Sequence, residues 1–564
     1  MFKQFLIYLF LFSAVCVHAQ NRDRKVEVTG LPKELLRNHT FVFEDSLKAE
    51  LGVADWLEKL HYDGYFYADT LNKQWDNNVL KVDFYLGEKF KLLYLKNGNI
   101  SPQALYDISF KEKNYINQNL DLQTLKTLKE NLLVWYENHG FPFAKVWLDS
   151  FTFENRALSA KIFSMSGDKI SIDSIRVIGS LRISDSFLST HMGLKPGAVY
   201  QENKIRDMDK RLRELPFLKL RKQSEVEFIA DKSRLNIFAD KQDANQFDGL
   251  IGFLPNQTTG KLQVTGDFKL RLQNSLKQGE TLSFNYRGLP QQAQELDFRF
   301  KYPYLFKSRL GLKAEVLFYK QDTNFLNLNT KLAFVYSYSN NKSLGFYVEN
   351  YTGNTISYNE SAISDNRIAD INTLFYGIDF DLRSLDNLFM PKKGYNLIFS
   401  AGAGARKIKS EQAEKNQTNQ FKLKADLNYY LKLSKTSVIY FHNLSSILTG
   451  KDLFENEAFR IGGLKTLRGF DEQQFFASSF SVQTFEYRLF VEENSFLNIF
   501  YDQAVMRQIY QGRTELTHPF SFGAGFTFLT KLGSLSLNYA LGKQKNIPLD
   551  LQKGKIHFGI VSYF

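Results

Sequence analysis

The sequence lacks the features on which several protein classes depend. Its 564 residues include one cysteine, which excludes a disulfide scaffold and a zinc or iron–sulfur site built on cysteines. After the first twenty residues, no apolar run approaches the roughly eighteen residues that a membrane-spanning helix needs. The zinc-protease motif HExxH, the GxSxG turn of hydrolases and the phosphate-binding P-loop are also missing. We therefore expect neither an enzyme nor a bound metal ion or cofactor.

The first nineteen residues are organised like a secretory signal peptide. Lys3 precedes an apolar stretch over residues 5–17, and small residues suit cleavage before Gln20. A stretch of about thirteen residues is too short to span a bilayer. We therefore predict that residues 1–19 are removed from an exported chain. The single cysteine, Cys16, lies in this segment, and a lipoprotein anchor there would need a smaller residue before it.

The charge of the chain does not identify a ligand. There are 72 Lys and Arg against 60 Asp and Glu, giving a formal net charge of +12. Such an excess can indicate nucleic-acid binding. Here the two signs are interleaved along the chain, and the predicted export separates it from nucleic acid. We expect no nucleic-acid partner and interpret the basic residues as solvated strand faces and loops.

The N-terminal part contains three similar segments. Each begins with a short strand that ends at a glycine (Gly30, Gly98 or Gly179) and continues into two helices. The clearest helix is predicted over residues 122–138, where leucines recur on one face. A pair of strands closes each segment, for example within residues 225–241. The pattern predicts β-α-α-β-β units of about 75 residues, each with a helix pair on a three-stranded sheet.

The three predicted units cover residues 20–88, 89–168 and 169–242, and the first is degenerate because its opening strand and first helix are short. This organisation resembles the POTRA domain, a periplasmic module that binds partners through the edge of its sheet. An unrelated α+β repeat without a binding role would have the same order of elements.

From about residue 247, alternation of apolar and polar residues replaces helical periodicity. In residues 295–302 every even position is apolar or aromatic and every odd position is charged. We predict sixteen strands, most with the roughly 9–11 residues that a tilted transmembrane strand needs. They cover residues 247–254, 261–273, 279–288, 294–302, 309–319, 327–338, 343–351, 373–383, 394–404, 420–431, 436–445, 480–491, 496–506, 518–529, 533–542 and 555–564.

The connections between these strands differ in length in a regular way. The long ones, 352–372, 405–419, 446–479 and 543–554, all follow odd-numbered strands. Long external loops and short periplasmic turns are typical of outer-membrane barrels, and an excess of aromatics (52 Phe and 29 Tyr) suits their interfacial girdles. A large soluble β-sandwich or propeller would not readily explain charged rows on so many strands.

The predicted fold class is therefore a set of α+β POTRA repeats followed by an all-β, sixteen-stranded antiparallel transmembrane barrel over residues 243–564. A closed barrel pairs every backbone group, as a bilayer requires. We predict that the barrel lies in the outer membrane and the repeats in the periplasm.

The connection after the eleventh predicted strand contains FRIGGLKTLRGF at residues 459–470. It resembles the sixth-loop motif of the BamA/TamA outer-membrane assembly family, in which POTRA domains precede a sixteen-stranded barrel. Four other segments of the chain also resemble this family, at residues 386–397, 484–490, 499–504 and 557–564. Three repeats make the chain more similar to TamA than to BamA, which usually has five. The motif residues that the resemblance selects are Gly462, Gly463, Arg468, Gly469 and Phe470.

The resemblance implies that this loop folds into the lumen and that Arg468 pairs with acids on the inner wall. The alternation independently directs Glu486 and Asp502 into the lumen, because the odd-numbered residues of each strand are apolar or aromatic and face lipid (Phe485, Tyr487 and Leu489; Leu497, Ile499 and Tyr501). We therefore predict that Arg468 pairs with Asp502, Glu486 or both through charge-assisted hydrogen bonds. The alternative is a solvated Arg468, with the two acids lining a wet lumen.

The resemblance implies an insertase of outer-membrane β-barrel proteins. Its partners would be unfolded outer-membrane proteins, outer-membrane lipid and periplasmic or inner-membrane accessory proteins bound by the POTRA domains. The seam between the first and last strands should be weak, because Gly249, Gly252 and Gly559 lower strand stability there. Phe564 is the aromatic last residue common in such barrels. An opened seam would offer an unpaired edge to a client strand.

The main alternative function is a two-partner-secretion translocator, which exports one soluble protein through its lumen. That family shares the motif loop but has two POTRA domains and an N-terminal plug helix. A simple porin is a more distant alternative, since it needs no POTRA repeats.

Overall fold

A computed structural model provides the structure of the protein. It describes residues 24–36, 41–154, 157–229, 232–255, 262–289, 293–321, 324–339, 341–356, 368–409, 417–510, 513–530, 533–545 and 554–563. The predicted signal peptide, with Cys16, and the terminal Phe564 lie outside the described residues. The chain divides into two compact units, Met1–Ser171 with Val199–Asn203, and Ile172–Ala198 with Lys204–Phe564. Within the described ranges, no helix combines the length and apolar character needed to cross a membrane.

The first unit contains two α+β repeats. The first repeat comprises β1 (Arg24–Thr29), α1 (Lys33–Leu36), β2 (Val42–Phe43), α2 (Ser46–Tyr62), β3 (Asp69–Asp76) and β4 (Val79–Tyr85). The second comprises β5 (Lys91–Asn97), α3 (Pro102–Asp107), a 3₁₀ turn (Glu112–Tyr115), β6 (Gln118–Asn119), α4 (Leu122–Asn138), β7 (Lys145–Glu154) and β8 (Ala157–Met165). The sheet orders are β2-β1-β4-β3 and β6-β5-β8-β7, with the opening strand parallel to the last. Each sheet has four strands, not the predicted three, because a two-residue strand between the helices pairs with the opening strand.

Helix α4 has the bounds that the leucine periodicity predicts. Its N-cap residue is Asp121, whose Oδ1 accepts a hydrogen bond from the backbone N–H of Gln123 at 2.8 Å. Leu132 on its inner face is fully buried and belongs to the same core as Leu95 and Ile162 of the sheet. Burial of each such side chain stabilises the repeat by about 1.5–3 kcal/mol.

The third repeat is built around its last strand. It comprises β9 (Ser171–Ile172), β10 (Ser174–Ile178), α5 (Asp185–Met192), β11 (Ala198–Val199), α6 (Glu202–Arg213), β12 (Leu218–Leu220), β13 (Glu225–Ile229) and β14 (Lys232–Lys241). Strand β14 pairs in parallel with β10 and antiparallel with β12 and β13.

Eighteen strand segments of the described residues form one closed barrel. They are β15 (Gln246–Pro255), β16 (Leu262–Gln273), β17 (Thr281–Gly288), β18 (Gln294–Tyr302), β19 (Leu310–Gln321), β20 (Phe325–Ser339), β21 (Lys342–Thr355), β22 (Asp370–Leu385), β23 (Gly394–Lys409), β24 (Gln417–Lys432), β25 (Ser437–Thr449), β26 (Phe459–Ile461), β27 (Phe475–Glu492), β28 (Ser495–Tyr510), β29 (Arg513–Thr517), β30 (Phe520–Thr530), β31 (Gly533–Lys543) and β32 (Lys555–Tyr563). Two 3₁₀ turns, Leu305–Lys307 and Glu455–Glu457, lie in its connections.

Sixteen of these segments run side by side around the wall. The other two are β26, a three-residue segment of the motif loop, and β29, which pairs with the end of β28 and is separated from β30 by His518 and Pro519. All the pairings in the wall are antiparallel. The predicted fold class is thereby confirmed.

The strand registers explain the predicted alternation. Arg299, Glu315, Lys331 and Glu349 are direct neighbours on four successive strands, so that charges of alternating sign cross the inner face. Opposite charges in facing positions stabilise a sheet. Apolar residues of the same strands point outward, and Phe346, for example, is 64% exposed. The wall therefore has a charged lumen and an apolar outer face.

Helix α5 of the third repeat contacts two turns of the barrel. The backbone N–H of Ser184 donates to the carbonyl of Lys277 at 2.8 Å, in the turn between β16 and β17. His191 Nδ1 lies 2.9 Å from the hydroxyl of Tyr304, in the turn between β18 and β19. These bonds fix the third repeat to the barrel.

Candidate functional site: the motif loop and the barrel seam

Arg468 forms an ion-pair centre inside the barrel with two acids of the wall. Its Nε and Nη2 donate to the two carboxylate oxygens of Asp502 at 2.8 and 2.7 Å, and its Nη1 donates to Glu486 Oε2 at 2.9 Å. Asp502 is fully buried, and Glu486 is only 6% exposed. The structure thus brings together the arginine and both acids that the sequence selects. Hydrogen bonds to charged groups of this kind contribute about 1.5–3 kcal/mol each.

The register of two neighbouring strands sets the shape of this centre. Glu486 on β27 faces Phe500 on β28, and Asp502 lies two residues further along β28 on the same face. The guanidinium carbon of Arg468 lies 3.4 Å from the centre of the Phe500 ring. The ring therefore supports the planar guanidinium between the two carboxylates by a cation–π contact.

Glu486 also binds a second arginine. Arg488 Nε donates to Glu486 Oε1 at 2.7 Å, and its guanidinium carbon lies 4.2 Å from the ring centre of Tyr440. Arg488 is not one of the residues predicted from the sequence, although a residue two positions from Glu486 must share its face. Asp502, in contrast, has Arg468 as its only ion-pair partner within the described ranges.

The glycine after the motif arginine allows a close backbone contact. Gly469 has φ +81°, and a Cβ there would lie 2.8 Å from the backbone nitrogen of Gly542 on β31. The backbone N–H of Gly469 points to Nε2 of His557 on β32, at 3.2 Å. Gly462 and Gly463 also have positive φ, +124° and +93°. A side chain at position 469 would be strained in conformation and would push the loop away from the last two strands.

Phe470 anchors the loop by packing. It is 3% exposed, and its ring meets that of Phe475 edge-on, with centroids 5.2 Å apart. It shares an apolar cluster with Ile461, Leu467 and Met506. The motif therefore combines one ion-pair centre, one close backbone contact and one buried ring.

Three further residues of the same loop contact the wall on β17, β18 and β19, contacts that the sequence pattern does not predict. Glu472 Oε2 accepts from Arg287 Nη2 at 2.7 Å, on β17. Gln473 Nε2 donates to Glu295 Oε2 at 2.8 Å, on β18. The guanidinium carbon of Arg460 lies 3.4 Å from the ring centre of Tyr319, on β19.

The seam of the barrel is short. Strands β15 and β32 pair only at Gln246 with Tyr563 and at Phe247 with Ser562 among the described residues. By comparison, β15 and β16 pair along the whole of Gln246–Pro255. Residues of β15 beyond Phe247 therefore lack strand partners on the seam side within the described part of the chain.

The glycines predicted at the seam lie in the two seam strands but do not face each other. Gly249 and Gly252 pair with β16, and Gly559 pairs with Ser536 of β31. If the register set by Phe247 and Ser562 continued, Gly252 would be opposite His557 and not Gly559. A cross-link test of the seam must therefore use the observed pair.

The comparisons with known proteins agree with this architecture. The Omp85 superfamily domain matches residues 274–564, and the POTRA family described as "surface antigen variable number repeat" matches residues 170–240. No curated protein sequence matches the chain significantly.

Several solved structures are similar to this chain. CdiB from Acinetobacter baumannii is 14% identical, with 85% of this chain and 90% of that chain covered and a TM-score of 0.53. CdiB from Escherichia coli is 11% identical, with coverages of 92% and 97% and a TM-score of 0.53. BamA from Haemophilus ducreyi lacking POTRA domains 1–3 is 14% identical, with coverages of 84% and 100% and a TM-score of 0.47. At such identities the two CdiB structures support the fold alone.

Proposed function

Because the chain belongs to the Omp85 superfamily, we propose that it assembles β-barrel proteins into the outer membrane. The observation that carries this proposal is the short pairing between β15 and β32. We place the barrel in the outer membrane and the repeats in the periplasm, the arrangement of Omp85 proteins with POTRA domains.

A seam of this kind supplies an edge at which a client strand can pair. Residues 248–255 of β15 have backbone groups on the seam side without a partner on β32. In a bilayer each unpaired backbone group costs several kcal/mol, so a client strand that pairs with these groups is stabilised. Binding and strand exchange can then drive insertion without a nucleotide.

The motif loop positions the strands beside the seam. Gly469 contacts β31 and β32 through Gly542 and His557. Arg468 fixes the same turn to β27 and β28. The loop thus holds the last strands from the inside while the seam itself has few bonds, and we assign the motif residues this positioning role.

The repeats are the proposed binding sites for clients and accessory proteins. Domains of the POTRA family in Omp85 proteins mediate protein interactions. In the second repeat, β7 is a ten-residue edge strand. An extended segment of a partner can add to such an edge through backbone hydrogen bonds.

Depletion of the protein, followed by quantification of the outer-membrane and secreted proteomes, tests the proposal. Loss of many unrelated barrel proteins, or of a defined subset, is the expected result. Loss of one soluble exported protein with barrel proteins intact would instead identify a dedicated translocator.

A disulfide across the seam tests the mechanism. The variant combines Phe247→Cys with Ser562→Cys, an observed cross-strand pair whose Cα separation suits a disulfide. The only natural cysteine, Cys16, lies in the predicted signal peptide and would not compete. We expect client insertion to stop when the bond forms and to recover on reduction.

The matched control joins two strands that are fully paired. Leu312→Cys with Phe334→Cys cross-links facing residues of β19 and β20 and should leave insertion unchanged. Undiminished insertion by the oxidised seam variant would rule out opening at this seam.

A further inference from the structure

The turns at one end of the barrel carry a row of exposed positive charges. This end is the one at the third repeat, since Tyr304 in the turn between β18 and β19 bonds to His191. The next three turns at the same end join β20 to β21, β22 to β23 and β24 to β25. In or beside each of these four turns lies an exposed lysine, and together they form the basic arc: Lys307, Lys342, Lys393 and Lys435.

The lysines of the basic arc are not neutralised by the chain. Within the described ranges, none of the four forms an ion pair or a side-chain hydrogen bond. The four turns contain one acid, Asp386, and its carboxylate is bound to its own turn. Its Oδ1 accepts from the backbone N–H groups of Asn387, Lys392 and Lys393, at 3.0, 3.0 and 3.1 Å. The ammonium groups of the arc are therefore available to an anion outside the protein.

The charge changes sign at the next turn of this end. Glu492 and Glu493 lie at the connection from β27 to β28, and both are exposed. The four turns of the basic arc lie between the fourth and the eleventh strand of the wall, on the side opposite the seam between the first and the sixteenth. The excess of positive charge is thus a feature of the back of the barrel.

Large apolar side chains are exposed among these lysines. Phe306 is 90% exposed, Leu433 54% and Phe389 37%. Phe306 and Lys307 also have positive φ, +53° and +56°, in a region that bulky L residues rarely adopt. The turn thus holds a phenyl ring away from the rest of the protein in a strained conformation. Such a ring suits a site where an apolar medium outside the chain covers it.

The basic arc borders the outer face of the wall. Lys342 has the same parity on β21 as Phe346, which is exposed on that face. Tyr336 and Tyr338 of the neighbouring strand β20 are also exposed, with their ring centroids 5.0 Å apart. Exposed tyrosines near a barrel end are typical of the membrane–water interface. A lysine at this level can lay its stem along the apolar face and hold its ammonium group among lipid headgroups.

We propose that the basic arc, with Phe306, binds anionic phospholipids in the leaflet on the repeat side of the membrane. An ammonium group beside exposed apolar side chains matches a lipid, which combines an anionic phosphate with acyl chains, better than a free anion. The back of the barrel is then fixed to the leaflet, while the seam side has no such attachment. This inference rests on the membrane placement proposed above and goes beyond the insertion of clients.

Spin-labelled lipids measure this selectivity directly. The full-length protein is reconstituted in phosphatidylcholine vesicles, and the motionally restricted fraction is compared for spin-labelled phosphatidylglycerol and spin-labelled phosphatidylcholine. Association of phosphatidylglycerol should be several-fold stronger, and the difference should shrink as salt screens the lysines. Equal association of the two probes would overturn the proposal and leave the arc to an acidic partner protein. A restricted fraction absent for both probes would instead contradict the placement of the barrel in a bilayer.

Glutamine substitution of all four lysines of the basic arc tests the assignment to these residues. The matched control removes the same charge from exposed lysines of the first two repeats, in Lys73→Gln, Lys111→Gln, Lys113→Gln and Lys161→Gln. The preference for phosphatidylglycerol should disappear in the arc variant and persist in the control. An equal loss in both variants would assign the preference to net charge and overturn the site.

Inorganic phosphate distinguishes a lipid site from a site for a free anion. At constant ionic strength, added phosphate should leave the preference for phosphatidylglycerol unchanged. Loss of the preference would assign the lysines to a free anion and overturn the lipid proposal.

A tryptophan at position 306 reports where the exposed ring lies. The four native tryptophans are all in the first two repeats, at positions 56, 75, 135 and 147. Phe306→Trp therefore places the only indole of the barrel in the turn between β18 and β19. Phosphatidylcholine with brominated acyl chains should quench its added emission and leave the emission of the wild-type protein unchanged. Added emission that is quenched by aqueous acrylamide and not by the brominated lipid would contradict the proposed lipid contact.

Discussion

Asp502 accepts two parallel hydrogen bonds from the guanidinium of Arg468, at 2.8 and 2.7 Å, and a third from the backbone N–H of the same residue at 3.3 Å. One fully buried carboxylate of the wall thus binds both the side chain and the main chain of a single loop residue. This two-point contact fixes the position and the orientation of the motif turn.

Arg468→Ala should release the motif turn. The change leaves Asp502 buried without its cation, and breaking a buried pair in this way costs about 3–5 kcal/mol. Limited proteolysis of the folded barrel should show new cleavage in the motif loop. In the Arg468→Lys variant the loop should be only partly protected from cleavage, because an ammonium group cannot form the bidentate contact. If the loop of Arg468→Ala resisted cleavage as well as the wild-type loop, the ion pair would not be what orders the loop.

Arg468 and Asp502 should be coupled energetically. A double-mutant cycle with Arg468→Ala and Asp502→Ala should give an interaction free energy of about 0.5–3 kcal/mol in barrel unfolding. The control cycle pairs Asp502→Ala with Arg299→Ala, which lies on β18 and bonds to Asp297. Its interaction free energy should be near zero, and equal values for the two cycles would refute a specific contact.

Gly469→Ala should destabilise the docked loop. A non-glycine residue at φ +81° costs about 1–3 kcal/mol, and its Cβ would also meet the backbone of β31. Gly197 is a suitable control, since it has φ +82° and a Cβ added there would have no neighbouring atom within 4 Å. Thermal unfolding should show a larger loss for Gly469→Ala than for Gly197→Ala. Equal losses would mean that conformation alone, without the contact to β31, sets the cost.

The attachment of the third repeat should weaken in acid. Burial lowers the pKa of His191 to about 4, and its neutral ring donates from Nε2 to the carbonyl of Arg211 and accepts at Nδ1 from Tyr304. Between the unfolded pKa of about 6.5 and the folded value, the unfolded chain binds the proton and the folded chain does not. The contribution of His191 to the free energy of unfolding is therefore fully present above pH 6.5. It falls by about 3 kcal/mol as the pH approaches 4.

Protease sensitivity of the third repeat between pH 7 and pH 4.5 measures this effect. His191→Gln removes the titrating group while keeping a neutral side chain that can hydrogen-bond, so its sensitivity should change less with pH. An identical pH dependence in both proteins would assign the effect to other groups.

Local periodicity explains why much of the barrel is predictable from sequence. The alternation over residues 295–302 predicts a strand over 294–302, which is the range of β18, and the same rule directs Glu486 and Asp502 inward. The rule works because each side chain must face either the lumen or the outer surface.

Other elements cannot be predicted from alternation. The predicted ninth strand ends at residue 404, whereas β23 continues to Lys409 and so includes Arg406 in the wall. Residues 405–409 lack clean alternation, and Arg406 meets Glu457 only through a tertiary contact 51 residues away. Strands of two residues, such as β2, are too short to show a period. The strand predicted over 518–529 begins only at Phe520, because Pro519 has no N–H to donate.

The pairing at the seam also bears on the order in which the barrel forms. Gln246 and Tyr563 are more than 300 residues apart, whereas Arg468 reaches Glu486 across 18 residues. Closing a long segment costs more entropy than closing a short one, so contacts between distant residues form late in folding. We therefore expect the motif turn to be captured by β27 and β28 while the sheet is still open, with the wall then closing around a loop already in place.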